Sequence, residues 1–112
     1  MSTDIQGDSG FVKLYRSTLE WEWFKDVNTA HLWNYILMRA NYKPSRFKGI
    51  MVNRGQFLES IPTMAANTGL SVKQVRTALV HLKETGEVAC KRTHYGTLVS
   101  VVKYNTYQHS GE

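Results

Sequence analysis

The sequence has one cysteine, two prolines and no apolar run near the ~20 residues that a membrane-spanning helix needs. A lone Cys90 excludes an intramolecular disulfide and, by itself, a structural zinc knuckle, and it fits a reducing cytoplasm. The start, Met1 to Gly10, is polar without the apolar core of a signal peptide and is expected to be disordered. No Ser/His/Asp set, acidic pair or phosphate-binding loop stands at a recognisable spacing, so no enzymatic chemistry is expected. His81, Cys90 and His94 lack a fourth ligand and a tight pair spacing, so neither a metal nor another cofactor is expected.

What is present suits one domain. The chain has 112 residues, 42% hydrophobic and 12% aromatic, enough for a core of its own. Its net charge of +5 is unevenly placed. Residues 1–26 sum to −2, whereas residues 27–58 carry Arg39, Lys43, Arg46, Lys48 and Arg54 with no acid. Lys73, Arg76, Lys83, Lys91 and Arg92 add a second basic stretch. Such a surface favours a polyanionic partner.

The periodicities predict a strand over Phe11–Tyr15, a brief helix over Thr18–Phe24 capped by Ser17, and a helix from Thr29 to Ala40 capped by Asn28. Trp33, Ile36, Leu37 and Ala40 mark the core face of that helix. A second apolar stripe, His31, Tyr35, Met38 and Tyr42, fits central burial or a shared face. Lys43–Arg46 reads as a loop, followed by strands at Ile50–Val52 and Gln56–Leu58 around the turn-like Asn53-Arg54-Gly55. Ser60 caps a helix to Thr68, ended by Gly69. Ser71 with Gln74 forms a capping box, and the helix runs from Val72 to Thr85 with Gly86 as its stop. Val72, Val75, Leu79 and Leu82, with Ala78, are its buried face, and Lys73, Gln74, Arg76, Thr77 and His81 its polar face. Val88–Arg92 and Thr97–Val102 then form a hairpin around the loop Thr93–Gly96, with Cys90 a small core residue.

Two helices joined at Gly69-Leu70-Ser71 and followed by a hairpin predict an α+β winged helix-turn-helix over 11–104, with 105–112 a tail or the start of a linker. Ala65, four residues before Gly69, lets the two helices approach closely. On double-stranded DNA such a fold would present Ser71, Lys73, Gln74, Arg76 and Thr77 to the groove, and Lys91, Arg92, His94 and Tyr95 from the wing. Two features limit base reading: Gln74 also caps its own helix, and Val72 places an apolar group near the helix start. The same fold also serves as a transcriptional regulator or as a protein-binding scaffold without DNA. Trp21, Trp23 and Phe24, with Tyr35 and Met38, exceed what one small core needs and are candidates for self-association into a homo-oligomer.

Lys13-Leu14-Tyr15-Arg16-Ser17, Leu19 and Trp21-Glu22-Trp23-Phe24 resemble the opening of the N-terminal domain of DnaD-like and phage replisome-organiser proteins. Arg54-Gly55-Gln56, Thr68-Gly69-Leu70-Ser71, Gln74 to Leu79, Leu82-Lys83, Thr85-Gly86-Glu87, Tyr104-Asn105 and Tyr107-Gln108 extend the resemblance across 11–108. It implies a bacterial or prophage protein that helps start DNA replication within a primosome, with a helicase or helicase loader among its partners. Members join such a domain, often self-associating, to a C-terminal DNA-binding domain, and these 112 residues hold no counterpart of it.

Overall fold

The capping box forms as the sequence requires. Ser71 Oγ accepts the Gln74 amide at 3.0 Å, and Gln74 Oε1 accepts the Ser71 amide at 2.9 Å. In the computed structural model, which describes residues 10–108, this box opens a helix that lies at the centre of an α+β fold. Residues 1–9 of the segment expected to be disordered, and 109–112 of the expected tail, fall outside the described residues.

A 3-10 helix, Arg16–Glu20, leads through turns into α1 (Val27–Arg39). A small hairpin of β1 (Ser45–Phe47) and β2 (Ile50–Val52) follows, then β3 (Gln56–Glu59), α2 (Ile61–Thr68) and α3 (Val72–Glu84). β4 (Val88–Thr93), β5 (Gly96–Val101) and the short α4 (Tyr104–Gln108) complete the order. β3, β5 and β4 form one antiparallel sheet with β5 central, and β1–β2 is a separate sheet. Among the described residues, no helix is long and apolar enough to cross a membrane.

The core lies between the helices and one sheet face. Leu32, Ile36 and Leu37 from α1 meet Met64 and Ala65 from α2 and Val75, Ala78, Leu79 and Leu82 from α3, above Phe57, Val88, Val99 and Val101. Burying each large aliphatic side chain is worth roughly 1.5–3 kcal/mol. Gly69 takes φ +78°, a left-handed conformation that a Cβ makes costly, and turns α2 into α3. Among the described residues, one charge lies in the interior. Glu59, 8% exposed, accepts the Tyr35 hydroxyl at 2.6 Å and the Arg39 Nε and Nη2 at 3.2 and 2.9 Å.

Several local expectations change. Phe11–Tyr15 is not a strand: the Gln108 side-chain amide accepts from the Lys13 amide at 2.7 Å and donates to its carbonyl at 3.0 Å, taking the place of a partner strand. The N-terminal helical segment is a 3-10 helix, and Tyr15, whose side chain makes no capping bond, occupies the cap position given to Ser17. Asp26 rather than Asn28 caps α1, its carboxylate accepting the Thr29 amide at 3.1 Å. Val72, expected on the buried face, is 37% exposed at the first position of α3. β2 pairs with β1 through the Lys48-Gly49 turn, so the stretch read as a loop at 43–46 contains strand residues. The packed unit also continues past residue 104, since the Tyr107 ring meets Trp33 edge-on at 5.6 Å.

Candidate nucleic-acid interface

Helix α3 sorts its side chains by period. Val75, Ala78, Leu79 and Leu82 are buried, and Lys73, Arg76 and Thr77 project outward and are exposed. Ser71 and Gln74 lie at the same end, but their side-chain oxygens are engaged in the capping box. His81 does not belong to this face. Its Nδ1 lies 2.9 Å from Thr29 Oγ1 and 3.3 Å from Asp26 Oδ2, and its ring stacks on Trp23.

The β4–β5 register assigns the hairpin side chains to faces. Val88, Cys90 and Arg92 share the sheet face that packs on the helices, because Cys90 pairs with the buried Val99 and Arg92 with Thr97. Lys91 points from the reverse face with Ala89 and Thr93. The two cations therefore leave the β4–β5 hairpin in opposite directions, and of the two only Arg92 extends on the side of α3. Cys90 packs against the core while remaining partly accessible, and burial, partly offset by Lys83, pushes its thiol up. Thr93 pairs with Gly96, which shortens the turn to His94-Tyr95, both exposed.

A neighbouring pair was not visible from spacing. Phe47, at the end of β1, meets the Tyr95 ring edge-to-face at 5.6 Å and 88°. Lys48 Nζ lies over both rings, 5.4 and 5.2 Å from their centroids. Lys48-Gly49 is a two-residue turn with Gly second, a hairpin signal that the polar run 43–46 obscured.

The residues expected to self-associate separate into two groups. Trp21 donates its indole N–H to Glu87 at 3.0 Å and packs on Trp33, and Trp23 donates to Thr85 at 2.9 Å. Tyr35, half-buried, is held by Glu59 and Asn67. These three have partners within the chain. Phe24 and Met38 are exposed, at 42% and 64%. Phe24 lines a groove of about 260 Å³ with Leu14, Leu19, Trp21 and Ala30.

No family model, curated protein or solved structure matches the chain.

Proposed function

We propose that the chain is a winged helix-turn-helix domain that binds duplex DNA through α3 and the β4–β5 wing. In this reading it serves DNA replication initiation in a bacterial or phage setting. The observation that carries the reading is a basic, outward face of α3 (Lys73, Arg76 and Thr77) with Arg92 emerging from the wing on the same side. The order α1, β3, α2, α3, β4, β5, with β3 joined to the wing, supports the fold assignment. Lys73 and Arg76 supply phosphate charge, and Thr77 a short donor for a base edge or backbone oxygen. With Ser71 and Gln74 engaged in capping, few groups remain to read sequence, so binding is weak and largely unspecific. The replication role rests on the resemblance carried by the opening and Trp21–Phe24 motifs.

The exposed Leu14, Leu19 and Phe24 beside the groove support self-association through the N-terminal segment. Fluorescence anisotropy of a labelled duplex across a salt series tests the DNA reading. Neutralising about five phosphates gives a slope of log K against log[salt] near −4 to −5. Affinity that stays flat from low to physiological salt rejects it.

A further inference from the structure

The two hairpin tips meet at a cluster of aromatic rings and cations. Phe47 and Tyr95 remain 46% and 43% exposed although their rings touch. His94 stands edge-on to Tyr95 at 5.2 Å. Lys48 adopts φ +48° at the turn, where glycine or asparagine sits at less cost, and this conformation holds its ammonium beside both rings. No Asp or Glu occurs at 27–58 or 88–111, so neither hairpin carries an acid to oppose Lys43, Arg46, Lys48, Lys91 and Arg92. Partly exposed rings set among these cations suit unpaired bases, whose faces stack while their phosphates meet the charge. A duplex hides those faces. We propose that the joined tips, Phe47 and Lys48 with His94 and Tyr95, form a stacking platform for single-stranded DNA. The platform shares the wing tip with the duplex reading but uses no residue of α3.

The probe is a fluorescein-labelled oligo(dT) of about twelve nucleotides, titrated with the full chain at low salt. Phe47→Ala and Tyr95→Ala should each weaken its binding at least about fivefold, the lower end of what one stacked base supplies. Phe47→Trp and Tyr95→Phe, which keep a ring, should stay within about twofold. Oligo(dT) should also quench the emission of Phe47→Trp more than that of the parent chain. Lys48→Gln, which keeps both rings, should reduce the salt slope by about 0.7. Arg76→Ala, assayed in parallel, should weaken a duplex and leave oligo(dT) unchanged, so failure of the α3 reading is seen separately. Thermal midpoints of all variants register any loss of fold. The proposal is overturned if the folded parent chain does not bind oligo(dT), or if both alanine variants bind it within twofold of the parent. It is equally overturned if they disrupt sedimentation-detected assembly and spare oligo(dT), which would make the tips a protein contact.

Discussion

Trp23 lies flat on His81, with ring centroids 4.2 Å apart and planes 8° from parallel. The stack fastens the turn before α1 to the last turns of α3, and Thr29 and Asp26 engage the same imidazole. Truncating Trp23 should therefore act on folding before it acts on assembly. Trp23→Ala is expected to cost about 2–3 kcal/mol in urea unfolding, somewhat below a fully buried Trp, and His81→Ala about 1 kcal/mol. A double-mutant cycle should return a coupling of roughly 0.5–1.5 kcal/mol. A coupling near zero would mean that the stack contributes nothing in solution.

Much of this arrangement was legible, for identifiable reasons. The capping box, the Gly69 stop and the 3.6-residue period of α3 are local signals, and the structure retains them. The polar pairings were not local. Trp21 reaches Glu87, Trp23 reaches Thr85, and Lys13 pairs with Gln108, separations of 66, 62 and 95 residues that no window contains. His81 read as a polar-face residue because spacing alone cannot reveal that Trp23 covers that side of the helix. For the proposed interface, type and spacing picked out the α3 cations but not the pairing of Phe47 and Lys48 with Tyr95, which forms only through tertiary contact.

Gly55 and Gly69 share a left-handed backbone but not the same surroundings. A Cβ on Gly55 would meet Tyr104 Cβ at 2.8 Å, whereas nothing lies within 4 Å of one on Gly69. Arg54, next in the chain, holds the same α4 through Asn105 at 2.7 Å and the Gln108 carbonyl at 3.1 Å, so Tyr104 has little room to yield. Gly69→Ala should cost about 1–2 kcal/mol from backbone conformation alone. Gly55→Ala should cost more, by a further ~1–3 kcal/mol from the overlap. Equal losses in chemical denaturation would show that α4 shifts freely.

Alkaline stability reports on the Tyr35–Glu59–Arg39 cluster. Burial, then the hydrogen bond to Glu59, raises the Tyr35 phenol above its ordinary value. The folded chain therefore keeps a proton that the unfolded chain gives up, and the stabilisation, complete below ~10, is lost as pH climbs toward the folded value. Tyr107, raised by burial and by Glu87, acts in the same direction. The thermal midpoint should fall above pH ~10. Tyr35→Phe should lose about 1–3 kcal/mol at neutral pH, because a buried carboxylate oxygen and Asn67 lose a partner, and its midpoint should fall less steeply with alkali. An unchanged alkaline slope would remove Tyr35 as its source.

Arg92 and Lys91 give the sharpest test of the duplex proposal, because neighbours in sequence carry equal charge on opposite sheet faces. Total charge alone predicts equal effects for the two. If DNA lies against α3, Arg92→Ala should weaken duplex binding and reduce the salt slope by about one, whereas Lys91→Ala should change the slope by well under one. Both side chains are exposed, so each variant should keep its stability within about 0.5 kcal/mol of the parent's. Arg39 is no neutral reference for this experiment. It partners the buried Glu59, and burial, which alone would lower its pKa, is outweighed by the Glu59 contacts that raise it. Arg39→Ala would leave a buried carboxylate short of its cation, and a loss of binding there would reflect folding. Matching losses for Lys91→Ala and Arg92→Ala would mean that the wing is sensed only as net charge, and the placement of DNA on the α3 side would fail.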